Sequence, residues 1–275
     1  MVALSIPILR RTAFGAFFFV LALSTAVGAQ TKDEATSSDQ SSERARRLWE
    51  EAVAAKGGRE RLRNVSSLFV KSELDGGDRG YTLYVFPDYS FDYGYIAKKE
   101  IADIQIVNAK RGITWWQTNG HPAHQLKYDA NDLYRSLLPQ FLYLLVTRDI
   151  DPTPLRSRKG RVGLRRADVV EADASGWRVD YYLDPDTHLP IKLVLPRSPK
   201  GRDEGEMDYV ISLEDYADVG GLMMPRRATH SFTFGHEKWE ERLTFEINPN
   251  FDKGIFEKPP TARMGAEAWR PKASG

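Results

Sequence analysis

The fold is decided by a stretch that reads Arg242-Leu243-Thr244-Phe245-Glu246-Ile247. Polar and apolar side chains alternate strictly along it, and successive side chains of a β-strand point to opposite faces of a sheet. The stretch therefore predicts a strand with one buried face. The same period of two recurs at residues 81–85, 91–95 and 177–183, which predicts a protein built mainly of strands.

Turn signals separate these alternating segments. Asp, Gly, Pro and Asn cluster at 75–77, 87–88, 118–120, 184–186 and 220–221. Their intervals are typical of an antiparallel meander and not of parallel strands with helical crossovers. A sheet this long needs its edges closed or covered, so we expect a barrel or a strongly curved sheet.

Two segments have helical character instead. Apolar side chains recur at helical spacing over 43–56, and Gly57-Gly58 provides a stop. A second helix is predicted over 132–146, where Asp132 caps the start and Pro139 kinks the helix or divides it. The apolar residues of this second helix cover nearly all of its faces. We therefore expect it to be buried, as a plug or lid of the sheet.

The N-terminus has the pattern of a secretory signal. Arg10 and Arg11 precede an apolar run over 13–23, and the small residues Val27 and Ala29 follow. The run is shorter than the roughly 20 residues that a membrane-spanning helix needs. We expect cleavage after Ala29 and export to the periplasm of a bacterial cell envelope. An uncleaved N-terminal anchor is the alternative.

The remaining sequence divides into three parts. Residues 30–42 are mostly Thr, Ser, Asp, Lys and Gln, which predicts a disordered tether between the signal peptide of 1–29 and the fold. Residues 43–260 are expected to form a single β-rich domain, followed by a C-terminal tail at 261–275. The chain has no cysteine, so its stability must come from a packed core and not from disulfides.

Composition and motifs exclude several classes of function. Without Arg10 and Arg11, the 39 basic residues become 37 against 38 acidic ones, so no basic excess points to nucleic acid. The sequence contains no G-x-S-x-G, P-loop, G-x-G-x-x-G or H-E-x-x-H motif. His121 and His124 lie three apart without an evident third ligand. We therefore predict no enzyme, no cofactor and no metal site.

The aromatic content predicts an apolar binding site. A barrel lined by so many aromatic and aliphatic side chains can hold an apolar ligand. Periodicity shows which side chains share a face but not whether the interior is empty, so a solid core is the alternative. The predicted lining and lid consist of Leu83, Val85, Phe91, Tyr93, Trp115, Leu137, Phe141, Leu145, Trp177, Val179, Tyr181, Leu193, Leu243 and Phe245.

A basic run interrupts this nearly neutral sequence. Such a patch can dock on an anionic membrane surface or on an acidic partner in the cell envelope, whereas a solvated hairpin is the plain alternative. The predicted docking patch consists of Arg156, Arg158, Lys159, Arg161, Arg165 and Arg166.

Several stretches resemble a known family. The opening residues 45–68, with Gly57-Gly58 and Val65-Ser66-Ser67-Leu68, are followed by 181–192, 215–225 and 247–259. Together these stretches resemble the LolA-like superfamily of periplasmic lipoprotein-sorting proteins, over most of residues 43–260. The matching positions are turns and core positions, so no cargo-contacting residue can be transferred from the family.

The resemblance implies an incomplete antiparallel β-barrel, a strongly curved sheet wrapped around short helices, with an apolar cavity for acyl chains. The expected function is that of a periplasmic carrier or chaperone for a lipid, a lipoprotein acyl chain or another apolar ligand. The alternative is a non-catalytic structural or interaction domain of the cell envelope with a filled core.

Overall fold

The structure is a computed structural model that describes residues 30–119, 121–127, 140–195, 208–233 and 238–257, with side chains omitted at 30–38 and 140–141. Several predictions lie outside these residues: the signal peptide and its cleavage site, most of the helix at 132–146, and the tail at 261–275. The side chains of Leu137 and Phe141, two members of the predicted lining, lie outside them as well.

In the described part of the chain, thirteen strands form one antiparallel sheet in the order β6-β5-β4-β3-β2-β1-β13-β12-β11-β10-β9-β8-β7. The strands are β1 Ser67–Leu74, β2 Arg79–Val85, β3 Tyr89–Ile96, β4 Ile101–Asn108, β5 Ile113–Thr118, β6 His124–Lys127, β7 Thr153–Val162, β8 Arg165–Ala174, β9 Trp177–Leu183, β10 Pro190–Leu195, β11 Tyr209–Val219, β12 Leu222–Phe232 and β13 Lys238–Ile247.

The sheet is two meanders joined by one long-range pairing. Strand β13, the last of the described strands, pairs with β1, and β6 and β7 are the two edges of the described sheet. The predicted fold, mainly antiparallel β in an open curved sheet, is confirmed. The alternating segment 242–247 forms a strand with one buried face, as predicted. Leu243 and Phe245 are buried in β13, while Arg242, Thr244 and Glu246 are exposed.

Helix α1, Gln30–Ala55, lies on the inner face of the sheet, which we define as the face that contacts it. The ring of Trp49 meets the ring of Tyr181 on β9 edge-on, 4.9 Å between centroids. One buried cluster, here the inner cluster, joins α1 to side chains of β1 and of β8 to β13. Because these strands span much of the sheet yet share one core with one helix, the sheet curves around α1.

The start of α1 corrects one prediction. A disordered tether was expected at 30–42, but the helix already begins at Gln30. Ser41 and Ser42 each donate a side-chain hydrogen bond of 2.9 Å to a carbonyl of β7. Once the buried turns of a helix are docked, each further residue gains a hydrogen bond without a new nucleation cost. Polar residues of fair helix propensity therefore extend α1 outward.

The end of α1 follows the prediction. Gly57 and Gly58 have φ angles of 121° and 90°, which glycine adopts without steric cost. Their N–H groups donate to the carbonyls of Ala54 and Val53, at 3.0 and 2.9 Å. A short helix α2, Arg59–Arg63, follows and buries Leu62.

The described end of the predicted apolar helix is one π-helical turn, Gln140–Leu144. The helix stops there and not at residue 146, because Leu145 adopts a left-handed φ of 66° and Thr147 and Ile150 close a loop through their own hydrogen bonds. The prediction of burial on many faces is confirmed for Leu144, Leu145 and Val146, which have no exposed surface.

Candidate functional site

The predicted apolar lining is divided between the two faces of the sheet. Val70 belongs to the inner cluster and pairs with Thr82, so Thr82 shares the inner face. Neighbouring residues of a strand point to opposite faces, and Leu83 therefore lies on the outer face. Leu83 pairs with Phe91, and paired residues share a face. The same holds for Phe91 with Ile106 and for Ile106 with Trp115, so all four lie on the outer face.

The prediction of one continuous lining is therefore wrong for Leu83, Val85, Phe91, Tyr93 and Trp115. These residues belong to, or pack against, a second buried cluster, here the outer cluster, which also contains Tyr81, Ile104, Ile106 and Phe256. Alternation shows that side chains share a face, but the choice between inner and outer face depends on what covers each. The segment after β13 covers the outer face, where Phe256 meets Tyr89 with 5.2 Å between ring centroids.

The other predicted lining residues do share the inner face. Trp177, Val179, Tyr181, Leu193, Leu145, Leu243 and Phe245 all belong to the inner cluster. Val179, Tyr181 and Leu193 have no exposed surface, because α1 packs on this half of the sheet. At β9 and β10 the interior is thus occupied by the protein's own helix.

The inner face of the other half carries buried polar groups. Ser90, Gln105 and Thr114 are buried on β3, β4 and β5. Thr82 donates a hydrogen bond of 2.9 Å to Asp92, and Ser90 donates one of 3.3 Å to the same carboxylate. Binding of an acyl chain gains free energy from apolar contact area, which this polar half of the inner face offers less of, so it is a poor site for acyl chains.

An aromatic group lies between these two regions, on the inner face of β11, β12 and β13. His230 pairs with Ile211 of the inner cluster on one side and with Trp239 on the other. Its ring stacks on Trp239 at 5.2 Å and on Tyr209 at 5.7 Å. Phe232 lies 5.5 Å from Tyr209, between ring centroids. The rings of Tyr209, Phe232 and Trp239 remain partly exposed.

This aromatic group contains two ionisable side chains, the buried His230 and the partly buried Glu241. Tyr209 Oη and His230 Nδ1 share a hydrogen bond of 2.6 Å, and burial lowers the pKa of His230 to about 4. Trp239 Nε1 donates to Glu241 Oε1 at 3.3 Å, while burial raises the pKa of the Glu241 carboxyl group. His230 is therefore neutral at neutral pH, and the Glu241 carboxyl group beside it is poorly solvated.

Tyr143 connects this group to the π-helical turn. Its ring meets Phe245 edge-on at 5.0 Å. Burial raises the pKa of Tyr143 well above its usual value, and the neighbouring Glu241, Tyr84 and Tyr209 add to the shift. We call Tyr143, Tyr209, His230, Phe232, Trp239 and Glu241 the rim cluster.

The sequence reasoning did not place the rim cluster in its predicted site. A usable signal was present, because Trp239, Glu241, Leu243 and Phe245 occupy alternate positions of one strand. Glu241 therefore stands at an inward position. A charged residue at such a position is rarely buried without a partner or a function.

The predicted docking patch is brought together on the hairpin of β7 and β8, and all six side chains are exposed. Four of them pair with carboxylates: Arg156 with Glu171, Arg158 with Asp180 and Lys159 with Asp168, each at 2.7 Å, and Arg165 with Asp184. Much of the positive charge is therefore balanced locally. Arg161 and Arg166 lie near the hairpin tip beside Leu164, which is 94% exposed.

Lys56 is a buried ionisable group at the end of α1. Its Nζ donates to the Met223 carbonyl and lies 5.2 Å from the centroid of the Tyr216 ring. Its own carbonyl accepts a hydrogen bond of 3.1 Å from Met223 N–H. Burial lowers the pKa of Lys56 to about 7. The lysine thus fastens α1 to the start of β12.

The described residues contain no group of three or more His, Asp or Glu side chains arranged to hold a metal ion. No helix among them combines the length and the apolar character needed to cross a membrane.

No protein-family model matches the sequence, and no curated protein matches it significantly. Among solved structures, the fold is similar to a LolA superfamily protein from Nitrosomonas europaea, with 13% identity, 77% of this chain and 96% of that chain covered, and a TM-score of 0.45. It is also similar to a DUF1329 family protein from Desulfovibrio piger, with 8% identity, coverage of 77% and 96%, and a TM-score of 0.44.

Proposed function

We propose that the chain is a non-enzymatic periplasmic carrier that binds an apolar ligand, such as a lipid or a lipoprotein acyl chain, at its rim cluster. The observation that carries this proposal is the row of Tyr209, Phe232 and Trp239 on the inner face. These rings are partly exposed although they adjoin the buried Tyr143 and Phe245.

Hydrophobic burial supplies the binding energy. Removing an acyl chain from water contributes about 0.8 kcal/mol for each buried CH₂ group. Aromatic side chains add large contact areas that are already ordered by their neighbours, so little entropy is lost when the ligand binds. A partly exposed aromatic row that continues a packed core is suited to such a ligand.

The proposed site differs in place from the lining expected from the sequence. Around β9 and β10 the inner face is packed by α1, and around β3 to β5 it carries buried polar groups. The rim cluster lies between these regions. In it, several partly exposed aromatic side chains lie together beside apolar neighbours of the inner cluster.

The basic hairpin is proposed as the docking surface of the carrier. Leu164 at its tip can enter the apolar edge of a bilayer while Arg161 and Arg166 contact anionic headgroups, a combination that favours reversible membrane contact. The ion pairs at the base of the hairpin hold its shape. Docking of this kind would bring the carrier to the surface from which cargo is taken or to which it is delivered.

The carrier proposal is tested by ligand binding. Protein purified from its periplasm is extracted and the extract is analysed by mass spectrometry for lipids, and the stripped protein is titrated with the neutral apolar probe N-phenylnaphthylamine. We expect saturable binding that weakens in Phe232→Ala. The control is Tyr95→Ala, which removes a partly exposed aromatic ring from the outer face.

A second function is favoured by one observation. The core around α1 is solid, with Val179, Tyr181 and Leu193 fully buried, as expected for a structural or interaction domain with a filled interior. Folded wild-type protein that shows no saturable probe binding and carries no extractable lipid would favour this second function over the carrier.

A further inference from the structure

His230 has one ring nitrogen without a hydrogen bond. The side chain is 4% exposed, and Nδ1 is engaged by Tyr209. Nε2 is buried and has no hydrogen-bond partner among the residues that the structure describes. Buried polar atoms of folded proteins are nearly always paired, and a further group bound here would pair this one.

Glu241 faces the same space. Its Oε2 lies 3.8 Å from His230 Nε2, which exceeds the length of a hydrogen bond. Its Oε1 is occupied by the indole N–H of Trp239. An oxygen atom placed beside the line that joins Nε2 and Oε2 lies about 2.8 Å from both, a normal hydrogen-bond length.

We propose that the gap between His230 Nε2 and Glu241 Oε2 is a headgroup subsite that takes the hydroxyl group of an amphipathic ligand. This inference rests on the proposed carrier function, since the apolar part of that ligand lies on the aromatic rings of the rim cluster. It adds the chemical class of the ligand: an acyl or alkyl chain whose polar end is an alcohol.

The hydrogen-bonding pattern selects a hydroxyl group. A carboxylate beside Nε2 stabilises the tautomer with its proton on Nε2, and Tyr209 then donates its phenolic proton to Nδ1. A group in the gap must therefore accept from Nε2–H and donate to Glu241. An ammonium group cannot accept, and a carboxylate or phosphate cannot donate and is repelled by Glu241. An alcohol does both with one oxygen.

Burial makes this recognition selective. A site whose polar groups are buried rejects a ligand that lacks the matching group, because those groups then stay unpaired in an apolar environment. Hydrogen bonds to a charged group are the stronger kind, so the alcohol is expected to bind roughly tenfold more tightly than its methyl ester counterpart.

The experiment compares monomyristoylglycerol with methyl myristate, each displacing N-phenylnaphthylamine from the full chain. For the wild type we expect the monoacylglycerol to bind roughly tenfold more tightly than methyl myristate. Glu241→Gln and His230→Phe should abolish this preference, so that the two ligands displace the probe at equal concentrations. Glu240→Gln is the matched control, because it changes the neighbouring, exposed glutamate of the same strand and should preserve the preference.

The outcomes separate the subsite from the carrier function. Equal affinity of both ligands for the wild type, with saturable displacement, overturns the hydroxyl subsite and leaves the carrier in place. Equal weakening of both ligands in Glu241→Gln gives the glutamate a structural role only and also overturns the subsite. Absence of displacement by either ligand overturns the carrier function itself. Thermal melts of each variant confirm that it is folded.

Discussion

Replacing Lys56 with methionine is expected to change how stability depends on pH. The lysine is 1% exposed, and burial lowers its pKa from 10.5 to about 7. Between these values the unfolded chain carries a proton on Lys56 that the folded chain lacks. The free energy of unfolding of the wild type should therefore rise with pH across this window and lose this dependence below about pH 7.

The expected size follows from the shift. Within the window, one bound proton of difference corresponds to about 1.4 kcal/mol per pH unit, so this lysine alone should add about 2 kcal/mol between pH 7.5 and 9. Methionine has similar length and no charge to desolvate, although the Met223 carbonyl loses a donor, at a cost of about 1 kcal/mol that does not depend on pH. The variant should exceed the wild type in stability at pH 7.5, and the difference should narrow by about 2 kcal/mol at pH 9.

Urea unfolding followed by tryptophan fluorescence measures both proteins at the two pH values. Lys99→Met is the control, because Lys99 is exposed at the end of the 3₁₀ turn Ala97–Lys99 and its loss should leave the pH dependence unchanged. An identical pH dependence in the wild type and Lys56→Met would refute the reasoning, since the lysine would then be charged and solvated in the folded protein.

Three further predictions follow from other groups. Tyr181→Phe should leave stability unchanged or raise it by about 1 kcal/mol in urea unfolding, because the buried hydroxyl has no hydrogen-bond partner in the described part of the chain; a clear loss would contradict this. Gly57→Ala should lower the melting temperature strongly, since a Cβ there would lie 2.3 Å from the Gly221 carbonyl oxygen, whereas Gly163→Ala, which meets no neighbouring atom, should cost less. Equal losses of melting temperature in the two variants would show that backbone strain at positive φ, and not the contact with Gly221, sets the effect. N-terminal sequencing of exported protein should begin at Gln30, and an intact N-terminus in membranes would replace this with an anchored form.

The mainly β fold could be predicted from the sequence, because the alternation of polar and apolar side chains is a local property of each strand. Leu243 and Phe245 point one way and Thr244 the other in any sheet, whatever lies above or below. Turn chemistry is local as well. Asp184 accepts hydrogen bonds from the N–H groups of Asp186 and Thr187, which is what its sequence predicts. The end of α1 at Gly57 and Gly58 is likewise determined by the local sequence.

The start of α1 was less predictable. The composition of residues 30–42 favours disorder in isolation, but the chain is joined to a docked helix and held at Ser41 and Ser42 by β7. These contacts join residues more than a hundred positions apart in the sequence. A local composition argument cannot include them.

The sequence by itself thus determined the period of the strands, the turns and the apolar character of the segment before Val146. Only the tertiary structure decided which side of each strand is the inside. Leu83 and Trp177 have equally regular alternation, yet one faces the outer cluster and the other α1. Their faces depend on β13 pairing with β1 and on which segments cover the sheet. The register between β11, β12 and β13 brings Tyr209, His230 and Glu241 together, because neighbours across strands are fixed by strand pairing and leave no signal in any one strand.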